Sequence, residues 1–180
     1  MRALAALLIC GSASAQTTET APPKNWVNLR IGASSSVTRM LLCGEVGGPI
    51  GLSIEGCGTG SGFLHSDPDR EIAHFRLKWS PRTLRAGSAW FAPAVGVGFA
   101  ELQLGQDSPG FQFGGTDATR TATSGFEATT SVRLMMPAGK GVELIADLAL
   151  SLAYLPHAPS LITPEDEWQP GVAFTVGIGY

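Results

Sequence analysis

Gly171-Val172-Ala173-Phe174-Thr175-Val176-Gly177-Ile178-Gly179-Tyr180 alternates without a break. Val172, Phe174, Val176, Ile178 and Tyr180 fall on one face, and the other carries only Ala173, Thr175, Gly177 and Gly179. Successive side chains of a strand point to opposite faces, so this period of two reads as a strand with one apolar face and one small or polar face.

Seven further runs repeat the pattern upstream. Trp26 to Ala33 sets Val27, Leu29, Ile31 and Ala33 against Asn28, Arg30 and Gly32. Val37 to Val46 sets Met40, Leu42 and Val46 against Arg39, Cys43 and Glu45. After Gly47-Gly48-Pro49, Ile50, Leu52 and Ile54 oppose Ser53, Glu55 and Cys57. Glu71 to Trp79 opposes Ala73, Phe75, Leu77 and Trp79 to His74, Arg76 and Lys78, and Ala89 to Phe99 opposes large apolar residues to Ala and Gly. Phe126 to Met136 carries Glu127 and Arg133 on its polar face, and Val142 to Tyr154 carries Glu143 and Asp147. Eight strands without a helical period predict an all-β chain.

Only 15% of the 180 residues are charged while 44% are hydrophobic, yet no run approaches the roughly 18 apolar residues that a spanning helix needs. Such a chain is either an unusually apolar soluble β-fold or a membrane barrel. The net charge of −3 leaves no basic surface for nucleic acid. Arg2, the apolar run Leu4 to Ile9 and Ser12-Ala13-Ser14-Ala15 read as a cleaved signal peptide over residues 1–15. Ile9, where a small residue would precede a lipidated cysteine, argues against a lipoprotein anchored at Cys10. Residues 16–24, rich in Thr and Pro, read as a disordered lead-in to a barrel over 25–180.

Connection lengths favour the membrane. Gly47–Pro49, Ser80–Ser88 and Pro137–Gly141 lie at one end of the strands, and the long polar stretches Gly58–Arg70, Gly105–Gly125 and Leu155–Gln169 lie at the other, with Ser34–Ser36. Short periplasmic turns and long outer loops are the outer-membrane pattern. With lipid outside, the polar faces line a narrow lumen where Arg30, Arg39, Arg76, Lys78 and Arg133 balance Glu45, Glu55, Glu127, Glu143 and Asp147. An eight-stranded barrel has room for side chains but not for an open channel, so its charges must pair. Trp79 and Tyr180 fall at the turn side, and Phe99, Phe126, Tyr154 and Trp168 at the loop side, as in interfacial girdles.

The closing strand, ending on an aromatic residue, resembles the signal read by the outer-membrane assembly machinery, which more often ends in Phe than in Tyr180. The mature chain resembles the small eight-stranded outer-membrane barrels of the OmpA-transmembrane, OmpX and opacity-protein type. That resemblance implies an antiparallel up-and-down transmembrane β-barrel in the cell outer membrane, a monomer in contact with lipid and lipopolysaccharide. It points to no cofactor and to a structural or surface-binding role through the outer loops. The alternatives are a lipid A-modifying barrel enzyme and a secreted soluble barrel that binds an apolar ligand.

Chemistry-bearing residues are few. His65-Ser66-Asp67 are sequence neighbours whose side chains diverge, whereas a triad needs side chains that converge through folding. His74, among lumenal charges, reads as a neutral histidine bonded to Glu55 or another lumenal acid, and no metal-ligand spacing occurs. Phe111, Phe113 and His157 are candidates for binding by the outer loops.

Cys43 and Cys57 form an even pair in an oxidising compartment, which favours a disulfide. A tight Gly47-Gly48-Pro49 turn would put Cys43 opposite Ser53 and leave Cys57 about 13 Å away, beyond the roughly 7 Å between Cα atoms that a disulfide accepts. Pairing the cysteines instead requires a wider connection, Gly47 to Ser53, with Ile50 and Leu52 out of the strand. We expect the disulfide and the wider connection.

Overall fold

In the computed structural model, which describes residues 26–60, 64, 70–104, 122–162 and 166–180, the strands are β1 (Val27–Ser34), β2 (Leu41–Gly47), β3 (Leu52–Gly58), β4 (Glu71–Trp79), β5 (Leu84–Ala86), β6 (Ala89–Gln103), β7 (Ala122–Gly139), β8 (Val142–Tyr154) and β9 (Trp168–Gly179). Every pairing is antiparallel, each long strand pairs with its neighbours in sequence, and β9 returns to β1. Eight strands therefore close into an up-and-down barrel. The short β5 lies outside that count. It occupies the expected 80–88 turn because β6 extends below the end of β4 at Trp79↔Val95, and Leu84–Ala86 pairs with the edge this leaves at Ala89–Phe91.

The register sets the dimensions. From Leu29 the partners run Gly44, Gly56, Phe75, Phe99, Phe126, Tyr154 and Trp168. Trp168 lies six residues before Phe174, the partner of Ala33, so one circuit returns to the level of position 39 on β1, ten residues beyond Leu29. Ten residues of about 3.3 Å rise, set against eight strands about 4.8 Å apart, tilt the strands by about 40°.

Polarity is the reverse of a soluble barrel's. Leu29, Val46, Ile54, Leu77, Val97, Val132, Leu148, Phe174 and Ile178 point outward and are exposed, while Arg30, Glu45, Glu55, Arg76, Lys78, Glu127 and Asp147 are buried inside. β6 and β9 contribute mainly small residues to the interior, which makes room for long charged side chains from the other strands. Gly177 is the register partner of Arg30, and Gly98 that of Arg76. A Cβ on Gly98 would stand 2.0 Å from the Phe75 carbonyl oxygen and 2.8 Å from Arg76 Cα. Gly98→Ala should therefore force β4 and β6 apart at a cost of about 1–3 kcal/mol, read as a lower denaturant midpoint in detergent.

Cys43 and Cys57 are register partners with Cα atoms 4.1 Å apart, and they are bonded. The connection is tighter than the disulfide alone required. Gly47 pairs with Ser53, Leu52 stays in β3 opposite Trp79, and only Ile50 leaves, at the tip of a turn closed by Gly48 N–H to the Leu52 carbonyl at 2.7 Å. Gly51, at φ 77°, supplies the left-handed residue that this turn needs. The bond spans 14 residues, so Cys43→Ser with Cys57→Ser should cost about 3 kcal/mol by loop closure. Thiol mapping of the denatured, unreduced protein should find neither Cys43 nor Cys57 reactive; reactivity at both would rule the bridge out of the purified protein.

Two features fill the loop end. Ile72, Ala100, Leu102, Ala153, Leu155 and Ala158 pack as an apolar cluster, with Leu161 and Ile162 against it. The β1–β2 connection also folds inward. Val37 bridges Glu71, and Ile72 N–H donates to the Ser36 carbonyl at 3.1 Å. Because residues 36 and 37 pair with β4, β2 starts at Leu41 rather than at Val37. Arg39 therefore sits in the connection before β2, exposed, and does not line the lumen as its parity suggested.

Candidate functional site: a closed ionic network in the lumen

β1, β2, β3, β4, β7 and β8 each send charge inward, and these charges join in one network. Arg30 is its hub. Its Nη2 lies 2.8 Å from Glu45 and also contacts Glu55, and its Nη1 lies 3.1 Å from Asp147. Arg76 grips Glu127 through two bonds of 2.9 and 2.8 Å and reaches Glu55 at 3.0 Å. Lys78 Nζ stands 3.0, 3.6 and 3.7 Å from Glu55, Asp147 and Glu45. Arg133 bridges Glu45 and Asp147. Asn28 and Thr175 accept further bonds from Arg30.

Four cations thus meet four carboxylates, all removed from solvent except for a small part of Arg133. Charges taken from water are tolerated only when paired and hydrogen-bonded, and this set meets that condition collectively. Glu143, the fifth acid expected in the lumen, is buried there toward the turn end. These bonded ions join side chains of six strands across the interior.

His74 lies at the upper edge of the network. Its Nδ1 is 2.9 Å from Oε1 of Glu127, a lumenal acid other than the Glu55 named for it, and its Nε2 is 3.2 Å from the Ser36 hydroxyl. Ser36, His74 and Glu127 thus form a serine–histidine–carboxylate chain drawn from three distant segments. The sequence reading missed Ser36, although its parity continues Asn28, Arg30, Gly32 and Ser34 of β1. Ser36 is buried beneath the connection it belongs to, and its hydroxyl also lies 2.6 Å from that of Ser34.

The turn end holds a cavity of about 580 Å³ lined by residues including Trp26, Pro49, Ser53, Arg82 and Met135, with Glu45 and Arg133 at its inner wall. It ends at the ionic network. Among the candidates for loop binding, His157 is exposed at the start of a 3-10 turn over Ala158–Ser160, with no side-chain cap bond. Phe111, Phe113 and the segment His65-Ser66-Asp67 lie outside the described residues. No group of three metal-binding side chains occurs among the described residues. No family model, curated protein or solved structure matches this chain.

Proposed function

We propose that this chain is an outer-membrane β-barrel with a plugged lumen, which serves the envelope structurally or through surface binding by its long loops. The observation that carries this reading is the apolar outer wall. A monomeric soluble protein rarely exposes a contiguous apolar patch beyond about 300–600 Å², whereas here the outward faces of all eight barrel strands are apolar. Aromatic residues bound that wall. Phe75, Phe99, Phe126, Tyr154 and Trp168 form one register row toward the loop end, with Phe99 and Phe126 centroids 5.3 Å apart and Tyr154 and Trp168 5.0 Å apart. Trp26, Trp79, Phe91 and Tyr180 lie toward the turns. At the 40° tilt, Phe91 to Phe99 spans about 20 Å of height and Trp168 to Tyr180 about 30 Å, which brackets the roughly 25 Å apolar band of outer-membrane barrels.

Fractionation tests this reading directly. The protein should require detergent for extraction and should run faster on gels unheated than boiled. Release from cells in soluble form would sink the reading and favour the secreted barrel that binds an apolar ligand.

One observation favours the lipid-modifying alternative. In the Ser36–His74–Glu127 group, histidine Nε2 stands within reach of the hydroxyl proton and Nδ1 lies 2.9 Å from the carboxylate without an aligned hydrogen bond to it, the residue types that a nucleophile attacking an acyl ester uses. The same contacts also latch the β1–β2 connection onto β4, and the burial of Ser36 favours the latch. A fluorophosphonate probe that labels wild type but not Ser36→Ala, together with lipid A spectra altered by the protein, would establish the enzyme. No labelling and an unchanged lipid A profile would eliminate it.

A further inference from the structure

The cavity at the turn end ends on the ionic network, and the network meets it through a cation. Arg133 keeps 12% of its side chain exposed, against 3% for Glu45 and 2% for Asp147, the two acids it bridges. Its Nε and Nη2 are spent on those acids, and its Nη1 makes no bond among the described residues. Glu45, the acid in the cavity wall, is already held by both Arg30 and Arg133. Arg82 lines the same cavity, is exposed, and pairs with no carboxylate among the described residues. Trp26, Ile50, Leu52, Ala92 and Met135 supply the apolar wall. Small-ligand sites are concave spaces of roughly 300–1,000 Å³ with apolar walls and a few aimed polar groups. This cavity, at about 580 Å³, has that form.

We infer that the turn-end cavity binds a small amphiphilic carboxylate. The oxyanion sits on Arg133 Nη1, the apolar body lies against Trp26, Leu52 and Met135, and Arg82 adds attraction at the rim. A guanidinium nitrogen with unspent donors makes its strongest bond to an oxyanion. An alcohol of the same shape forgoes that charge-assisted bond, and an amine is repelled by both arginines. The site lies within the barrel, so the inference does not rest on lipid around the outer wall.

The test compares phenylbutyrate, phenylbutanol and phenylbutylamine, which share one apolar body and differ in head charge. The folded barrel would be held in phosphatidylcholine nanodiscs, or in buffer alone if it stays soluble, and the indole N–H resonances followed on titration. Phenylbutyrate should shift the Trp26 resonance saturably and leave that of Trp168, at the loop end, in place. It should bind about tenfold more tightly than the alcohol, and the amine should not bind. Arg82→Gln leaves the network intact and should weaken the acid by roughly two- to fivefold. Arg133→Lys should remove the acid's advantage, because a single ammonium between Glu45 and Asp147 has no second nitrogen to offer. Ser53→Trp, which fills the cavity from β3 without touching the network, should abolish saturable binding; gel mobility checks that each variant folds. Equal affinity for acid and alcohol, a preference for the amine, or saturable binding that survives Ser53→Trp would overturn the inference. Binding seen only in a chain lacking residues 16–24 would also overturn it, and would give the cavity to the protein's own N-terminal segment.

Discussion

Arg30→Met should be the most damaging single substitution in the lumen. Arg30 contacts Glu45, Glu55 and Asp147, so its removal leaves three buried carboxylates sharing Lys78, Arg76 and Arg133. Removing one partner of a buried ionic set typically costs 3–5 kcal/mol, because the remaining charge has lost both water and its counter-ion. Methionine keeps much of the volume, so the loss reports on charge rather than on a cavity. The measurement is a urea titration in detergent or lipid, followed by heat-modifiable mobility. A shift worth under about 1 kcal/mol would mean that water enters the lumen and solvates the acids, contrary to a closed plug.

Leu148→Arg should be nearly as costly, for a reason that concerns the surroundings of the barrel and not its interior. Leu148 lies on β8 six residues from both Val142 and Tyr154, points outward and is half exposed. Arginine at the middle of a bilayer on the lipid face costs about 2–4 kcal/mol. On a water-facing surface the same change is worth within about 0.5 kcal/mol. Folding free energies in lipid vesicles, compared for wild type, Leu148→Arg and Leu148→Ala, separate the two cases. A neutral Leu148→Arg would contradict the lipid-facing assignment of the outer wall even if Arg30→Met behaved as expected.

The barrel and the division of its faces were legible because a strand reports its two faces locally. Leu148 and Asp147 are neighbours in sequence and cannot share a face, whatever the strand pairs with. The same parity placed Arg30, Glu45, Glu55, Arg76, Lys78, Glu127, Arg133 and Asp147 in one compartment. It failed at Arg39, where β2 had not yet begun, because alternation does not reveal where a connection leaves the sheet. Nor did it foresee β5, whose pairing exists only because β6 outlasts β4 at the turn end.

Register belonged to the tertiary structure. Two pairings of the second hairpin both preserved the alternation of its faces, and they differed by four residues at Cys57. Closure of the barrel with a ten-residue offset selects one alignment for all strands together, and that alignment puts Cys43 opposite Cys57. Only then do Arg30 and Glu55, or Ser36, His74 and Glu127, come within bonding distance from segments far apart in the chain. The sequence by itself determined which side chains would share the outer wall and which the lumen, because that is a property of each strand alone. Which lumenal charges meet, and whether they close the interior, depends on stagger and tilt, which only the closed sheet possesses.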